Sequence, residues 1–214
     1  MTIYICGDST AQTYTPDRAP MTGWGQILGE LLPDVRIENR AIGGRSTKSF
    51  LAEGRLQKIE EEIQPDDLLL IQFTHNDTSS LVWRHTEPWT SFRNNLSIFV
   101  DTARLAGAIP VLLTPIPGRS WKDGELQPTH WDYPEVIRSL AKEKGVALID
   151  VYEKAFCRIR DLGEEASEGL FMNVEAGRYP AFPDGSKDNV HTQRAGAEVF
   201  ARIAAEGLRE LKLV

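Results

Sequence analysis

Five short strand-like segments, several ending in polar or glycine turns, alternate with helical patterns along this 214-residue chain. The first covers residues 2–6, where strand-suited side chains run straight into Gly7-Asp8-Ser9-Thr10. A loop with Pro16 and Pro20 follows. Gly23-Trp24-Gly25 then opens a helix that carries Ile27, Leu28, Leu31 and Leu32 on one face and stops at Pro33. Residues 35–39 form a second strand, and a glycine turn over residues 40–47 leads to a helix with Leu56, Ile59 and Ile63, ended by Pro65. Residues 67–73 are nearly continuous in apolar character, the mark of a parallel strand covered on both faces. Phe92, Leu96, Phe99, Val100 and Ala103 share a helix face. Ile109–Leu113 is a fourth strand, residues 118–132 a polar and aromatic loop, and residues 146–149 a fifth strand after a helix marked by Val136, Ile137, Leu140 and Ala141. The pattern is weakest over residues 151–187, read as partly helical near 155–162 and irregular through 179–185. A last helix carries Val199, Ile203, Ala204, Leu208 and Leu211 on one side.

Strand and helix alternating in this way make βαβ units, and so an α/β protein. The expected architecture is a three-layer αβα sandwich around a five-stranded parallel sheet, flavodoxin-like in its strand count. With no repeat, low-complexity tract or linker, a single domain over residues 1–214 is expected.

Composition narrows the function classes. Thirty-one acidic residues against 24 Lys and Arg leave a net charge of -7, which argues against a nucleic-acid partner. No apolar run approaches the ~18 residues of a membrane helix, so no membrane partner is expected. The two cysteines, Cys6 and Cys157, include one inside a predicted buried strand, which suits a reducing compartment. Met1 leads at once into that strand, with no basic segment and apolar stretch of a signal peptide. The expected location is cytoplasmic, although a secreted chain shorn of its leader would look the same. Oligomeric state is not legible.

The chemistry lies at the strand ends. In a parallel sheet Gly7-Asp8-Ser9, Gly43-Gly44 and Asn76-Asp77 fall on one edge, where open α/β sheets place their ligands. Asp188-x-x-His191, just ahead of the last helix, is placed to reach it. A serine hydroxyl attacks an ester only if a base takes its proton, a carboxylate orients that base, and donors meet the oxyanion. This set supplies all three. Taken singly, each residue also has an ordinary reading: Ser9 as a helix N-cap, Asp188 as a turn residue, Asn76 as an Asx-turn, His191 as a cap or surface residue, and Gly43 and Gly44 as turn geometry.

Taken together, the blocks resemble the SGNH (GDSL-type) hydrolases and, within them, the rhamnogalacturonan acetylesterase-like enzymes. The likeness runs through Gly7-Asp8-Ser9-Thr10, the 39–46 block Asn-Arg-Ala-Ile-Gly-Gly-Arg-Ser, His75-Asn76-Asp77 and Asp188-x-x-His191. It implies Ser9 as nucleophile and first oxyanion donor, Gly44 and Asn76 as the other donors, His191 as base and Asp188 as its orienting acid. It further implies a serine esterase that removes O-acetyl groups from pectin-type, rhamnogalacturonan oligosaccharides through an acyl-enzyme. Thr74 stands where the family usually has glycine and is expected to narrow the pocket beside Asn76. Asn189-Val190 replaces a more usual acidic-threonine pair.

Two other readings compete. One is a lipid or acyl-thioester hydrolase of the same chemistry, disfavoured by the polar loops. The other is a flavodoxin-like flavin or phosphate binder using residues 9–13, which leaves Asp188, His191 and Asn76 unexplained. No cofactor is called for, and His75, His85 and His130 lack metal-ligand spacing. Trp83, Trp121 and Trp131 fit either a sugar-stacking platform or loop packing, and Arg45, Arg119 and Arg178 either uronate pairing or a solvated surface.

Overall fold

A computed structural model describes residues 1–214. In chain order the elements are β1 (Thr2–Gly7), α1 (Trp24–Leu31), β2 (Arg36–Asn39), α2 (Thr47–Ala52), α3 (Arg55–Glu60) and β3 (Leu68–Gln72). Then come α4 (Arg93–Leu105), β4 (Ile109–Leu113), a small hairpin of β5 (Trp121–Lys122) and β6 (Glu125–Leu126), α5 (Tyr133–Lys144) and β7 (Ala147–Ile149). The chain closes with α6 (Val151–Ser167), β8 (Phe171–Val174), β9 (Ser186–Thr192) and α7 (Arg194–Glu210).

The central sheet has the order β2-β1-β3-β4-β7, with every neighbouring pair parallel. This is the flavodoxin-like three-layer sandwich that the alternation predicts. Period-two alternation along β1 decides which layer each side chain joins. Ile3 and Ile5 face a core built with α1, α6 and α7, while Tyr4 and Cys6 face a second core built with α2 to α5. All five residues of β3 are buried, because that strand sits mid-sheet with helices on both sides. Removing one of its leucines, Leu70 for example, would cost about 2–5 kcal/mol through lost transfer energy and the cavity left behind.

Two regions depart from the expected pattern. The helix predicted across Leu56 to Ile63 is preceded by a separate short one, α2, and the two are joined through Gly54, which takes a left-handed φ of 66°. Ile63 lies past the end of α3, yet is still buried. The reading of residues 151–187 also changes. α6 begins at once at Val151 and runs to Ser167, kinked at Gly163 (φ 81°, ψ 171°). β8 and β9 then form an antiparallel ribbon that the pattern did not reveal. β9 reads Ser-Lys-Asp-Asn-Val-His-Thr and lacks the apolar alternation by which a strand is recognised. No helix is long and apolar enough to cross a membrane.

Candidate active site

At the carboxyl end of β1 the chain turns sharply. Asp8 is buried, and its Oδ1 accepts from the Thr10 amide at 2.9 Å and from Thr10 Oγ1 at 2.7 Å, an Asx-turn that sets the backbone around Ser9. Trp24 N, at the start of α1, donates to Thr10 O at 3.0 Å, and Tyr14 Oη donates to Ser9 O at 2.9 Å. The turn is therefore held from both sides, and its serine faces the cleft.

His191 comes to it from the far end of the chain. Thr22 N donates to Thr192 O at 2.9 Å and Thr192 Oγ1 donates to Thr22 O at 2.6 Å, tying the end of β9 to the loop before α1. This brings His191 Nε2 to 2.9 Å from Ser9 Oγ across 182 residues of sequence. On the other side of the ring, Nδ1 lies 2.6 Å from Asp188 Oδ2. An ionised carboxylate can only accept, so Nδ1 carries the hydrogen and the neutral ring offers Nε2 as acceptor to the serine hydroxyl.

Asp188 is fixed in turn. Its Oδ1 accepts from the amides of Val190 at 2.8 Å and His191 at 3.0 Å. Burial would raise its pKa, but these hydrogen bonds, with the one from the His191 ring, hold it down at about 2. The Asp188 bond is also the main reason the His191 pKa is raised above the ordinary histidine value, against the opposing effect of burial.

The residues expected as donors line the same cleft. Gly44 takes φ 79°, a left-handed conformation that favours glycine. Gly43 is needed for a different reason: a Cβ there would meet Gln12 Oε1 at 2.9 Å and Ser9 Cβ at 3.5 Å. Gln12 Oε1 accepts from the Gly43 amide and so holds this turn against the Ser9 loop. Neither the Ser9 amide nor the Gly44 amide donates to another backbone carbonyl. Asn76 Oδ1 accepts from Arg84 Nη1 at 3.0 Å, and Nδ2 donates one hydrogen to Arg45 O at 3.1 Å. The arginine can only donate, so it fixes which way the Asn76 amide faces and leaves one Nδ2 hydrogen free. Asp77 anchors the next position: wholly buried, it accepts from Thr47 Oγ1 at 2.6 Å, Thr47 N at 3.1 Å and Thr86 Oγ1 at 3.0 Å. Burial pushes its pKa up to about 7.

Ser9, Gly44, Asn76, Asp188 and His191 thus line one cleft of about 760 Å³, together with Gln12, Tyr14, Arg18, Met21, His75, Arg84 and His130. Its groups can take a proton from a hydroxyl, stabilise the resulting imidazolium and present hydrogen bonds to a developing oxyanion. No cluster of His, Cys, Asp and Glu is arranged to hold a metal ion.

Several neighbours were expected to behave differently. Thr74 does not narrow the cleft: its side chain is buried and Oγ1 donates to Phe73 O. Asn189 instead secures β9, its carbonyl accepting from Arg119 N at 2.9 Å. None of the three arginines singled out in the sequence lines the cleft. Arg45 pairs with Glu53 at 3.1 Å, Arg119 donates to Ser167 and Glu164 O, and Arg178 lies over the Tyr179 ring. Trp121 is loop packing, with Nε1 3.3 Å from Ser167 Oγ, whereas Trp83 and Trp131 are exposed. Tyr14, Arg18 and Arg84 were not foreseen, and Gln12 only as part of the 9–13 loop, because no motif spacing marks side chains that reach the cleft from neighbouring loops.

Rhamnogalacturonan acetylesterase RhgT of Bacillus subtilis (strain 168) is 42% identical over 213 residues, covering 99% of this chain and 90% of the relative. The probable rhamnogalacturonan acetylesterase YesY of the same organism is 40% identical, covering 99% and 94%. Among solved structures, protein YxiM of Bacillus subtilis superposes with a TM-score of 0.84 at 28% identity, covering 99% of this chain and 56% of that one. Residues 5–199 match the GDSL-like Lipase/Acylhydrolase family, and the chain belongs to that family.

Proposed function

We propose that the protein is a serine esterase that removes O-acetyl groups from pectin-type, rhamnogalacturonan oligosaccharides through an acetyl-enzyme. The observation that carries this reading is the continuous hydrogen-bonded line from Asp188 through His191 to Ser9, in the same cleft as Gly44 and Asn76. Ser9 Oγ attacks the acetyl carbonyl carbon as its proton passes to His191 Nε2. Asp188 keeps the Nδ1 hydrogen and stabilises the imidazolium. The carbonyl oxygen, now an oxyanion, is met by the Ser9 and Gly44 amides and Asn76 Nδ2. Collapse breaks the bond to the sugar oxygen, which leaves with the proton from Nε2. A water then gives its proton to Nε2, attacks the acetyl-Ser9 carbon and releases acetate, and the serine oxygen recovers its proton.

The acetyl-sugar reading draws on the names of the relatives and on the cleft lining. Tyr14, Met21 and Val190 are its apolar members, and the rest is polar or glycine. An acyl groove gains about 0.8 kcal/mol per buried methylene, and nothing here offers such a surface. In a p-nitrophenyl ester series kcat/KM should therefore fall from acetate to butyrate to octanoate. Acetylated rhamnogalacturonan fragments should release acetate faster than acetylated xylan fragments. Octanoate outperforming acetate would transfer the protein to the lipid-hydrolase reading.

A further inference from the structure

Half of the sixteen arginines of this chain pair with a carboxylate. Arg36, Arg40, Arg45, Arg55, Arg93, Arg138, Arg160 and Arg194 each contact a carboxylate, as expected in a protein of net charge -7. Arg18 and Arg84 do not, and both line the cleft that holds Ser9. The only carboxylate among the lining residues is Asp188, which is already committed to His191. The cleft thus has two guanidinium groups without an anionic partner inside an otherwise acidic protein.

Their placement flanks the reacting centre. Arg84 stands on the oxyanion side: Nη1 bonds Asn76 Oδ1 at 3.0 Å and lies 4.0 Å from where a Cβ on Gly44 would be. Its guanidinium carbon sits 5.3 Å from the centre of the Trp83 ring, and Nε is shut off from solvent without a partner. Nη2 makes no hydrogen bond in the chain and, unlike Nε, is not shut off from solvent. Together with the second Nη1 hydrogen it offers the end-on pair of donors that a carboxylate accepts. Arg18 stands on the histidine side, in a turn over Pro16–Arg18, with its guanidinium carbon 5.7 Å from the centre of the Phe182 ring and no acceptor. Its charge acts to lower the His191 pKa. In both cases an aromatic ring backs the guanidinium, which limits the side chain's freedom and lowers the entropy lost when an anion binds.

We propose that Arg18 and Arg84 form a carboxylate-recognition pair, so that the enzyme selects acetylated sugars carrying a uronic acid over neutral acetylated sugars. This inference rests on the acetyl-sugar reading above and adds a specificity to it. The two arginines make no contact with the acetyl group. They fix the sugar that bears it, and their effect should appear chiefly in KM.

The test uses matched substrates: an acetylated rhamnogalacturonan fragment with free uronates, and the same fragment with its carboxyl groups methyl-esterified, both followed by acetate release. The wild-type enzyme should prefer the free-acid form in kcat/KM by about tenfold or more, and added salt should erode the preference. Arg18→Gln and Arg84→Gln should each reduce that ratio, and the double variant should bring it close to one. Using the ratio cancels any general slowing that Arg84→Gln causes through Asn76. Arg18→Gln breaks no hydrogen bond in the chain, the ratio cancels any change it causes through the His191 pKa, and Arg18→Lys, which restores the charge, should recover part of the preference. A wild-type enzyme indifferent to methyl-esterification, or a preference that survives in the variants, overturns the arginine assignment while the pectin reading stands. Failure to release acetate from either fragment, with p-nitrophenyl acetate still cleaved, overturns the pectin reading and this inference with it.

Discussion

His191 and His75 line the same cleft, and the protein treats them in opposite ways. His191 faces a carboxylate through Nδ1 and a hydroxyl through Nε2, and its pKa is raised. His75 packs edge-on against His130 with ring centroids 4.4 Å apart, and its Nε2 is buried without a partner. Burial, with the His191 charge nearby, drives the His75 pKa down to about 4, and burial next to His75 drives that of His130 down to about 3. One corner of the cleft is built to accept a proton and the other to refuse one. A second imidazolium beside His191 would oppose the one that must form during ester cleavage, so the neutral pair protects the charge that catalysis needs.

The comparison can be broken most severely at the accepting corner. Ser9→Ala and His191→Ala should each lower kcat by about 10⁴–10⁶-fold with the fold intact by circular dichroism. The double variant should be hardly worse than either, because the groups act as a unit. Asp188→Asn should cost about 10⁴-fold or less, since the ring can still accept a proton when it happens to be aligned. Next in size, Asn76→Ala should lower kcat by about 10²–10³-fold with little change in KM. A raised KM with unchanged kcat would make Asn76 a residue that binds the ground state.

A smaller effect separates the two corners by pH. The base must be neutral to work, so kcat/KM should fall on the acid side as His191 protonates. Because Asp188 raises its pKa, the midpoint of that limb should lie above the ordinary ~6.5. Smallest of all should be His130→Asn. His130 takes φ 70°, a conformation that asparagine tolerates, and its Nε2 contacts only Ile116 O, at 3.1 Å. The acid limb should not move and the rate should change no more than a few-fold. A displaced limb would mean that the neutral pair shares in the titration.

How far the sequence revealed this arrangement depends on the kind of signal involved. The inner strands of the sheet were legible because their burial writes itself as apolar runs, and β3 is the plainest case; β2, at the edge and without a buried residue, was legible by its place between a helix and a glycine turn. Ser9, Gly44, Asn76, Asp188 and His191 could be located because they follow strand ends or precede a helix at short, recognisable spacings. β9 was not legible as a strand, since it pairs with β8 outside the central sheet and keeps a polar sequence. The supports were hidden for a different reason. Arg84 reaches Asn76 across eight residues and Gln12 reaches Gly43 across 31, through loop shapes that no periodicity encodes. The sequence marked His191 as the base through its spacing from Asp188, but not the burial beside His130 that keeps His75 neutral, because that depends on what the fold places around the ring.

The central claim is that Asp188 makes His191 the proton acceptor for Ser9 while the fold keeps its neighbours neutral. It is tested most directly by following all four histidine rings by NMR from pH 4 to pH 9, alongside kcat/KM for p-nitrophenyl acetate. The account predicts that His191 titrates above ~6.5, coincides with the acid limb of the rate profile, and drops toward the ordinary value in Asp188→Asn. It predicts that His75 and His130 remain neutral until well below pH 6. If His191 titrates at or below the ordinary value, or the rate follows the titration of His75 or His130, the account is wrong.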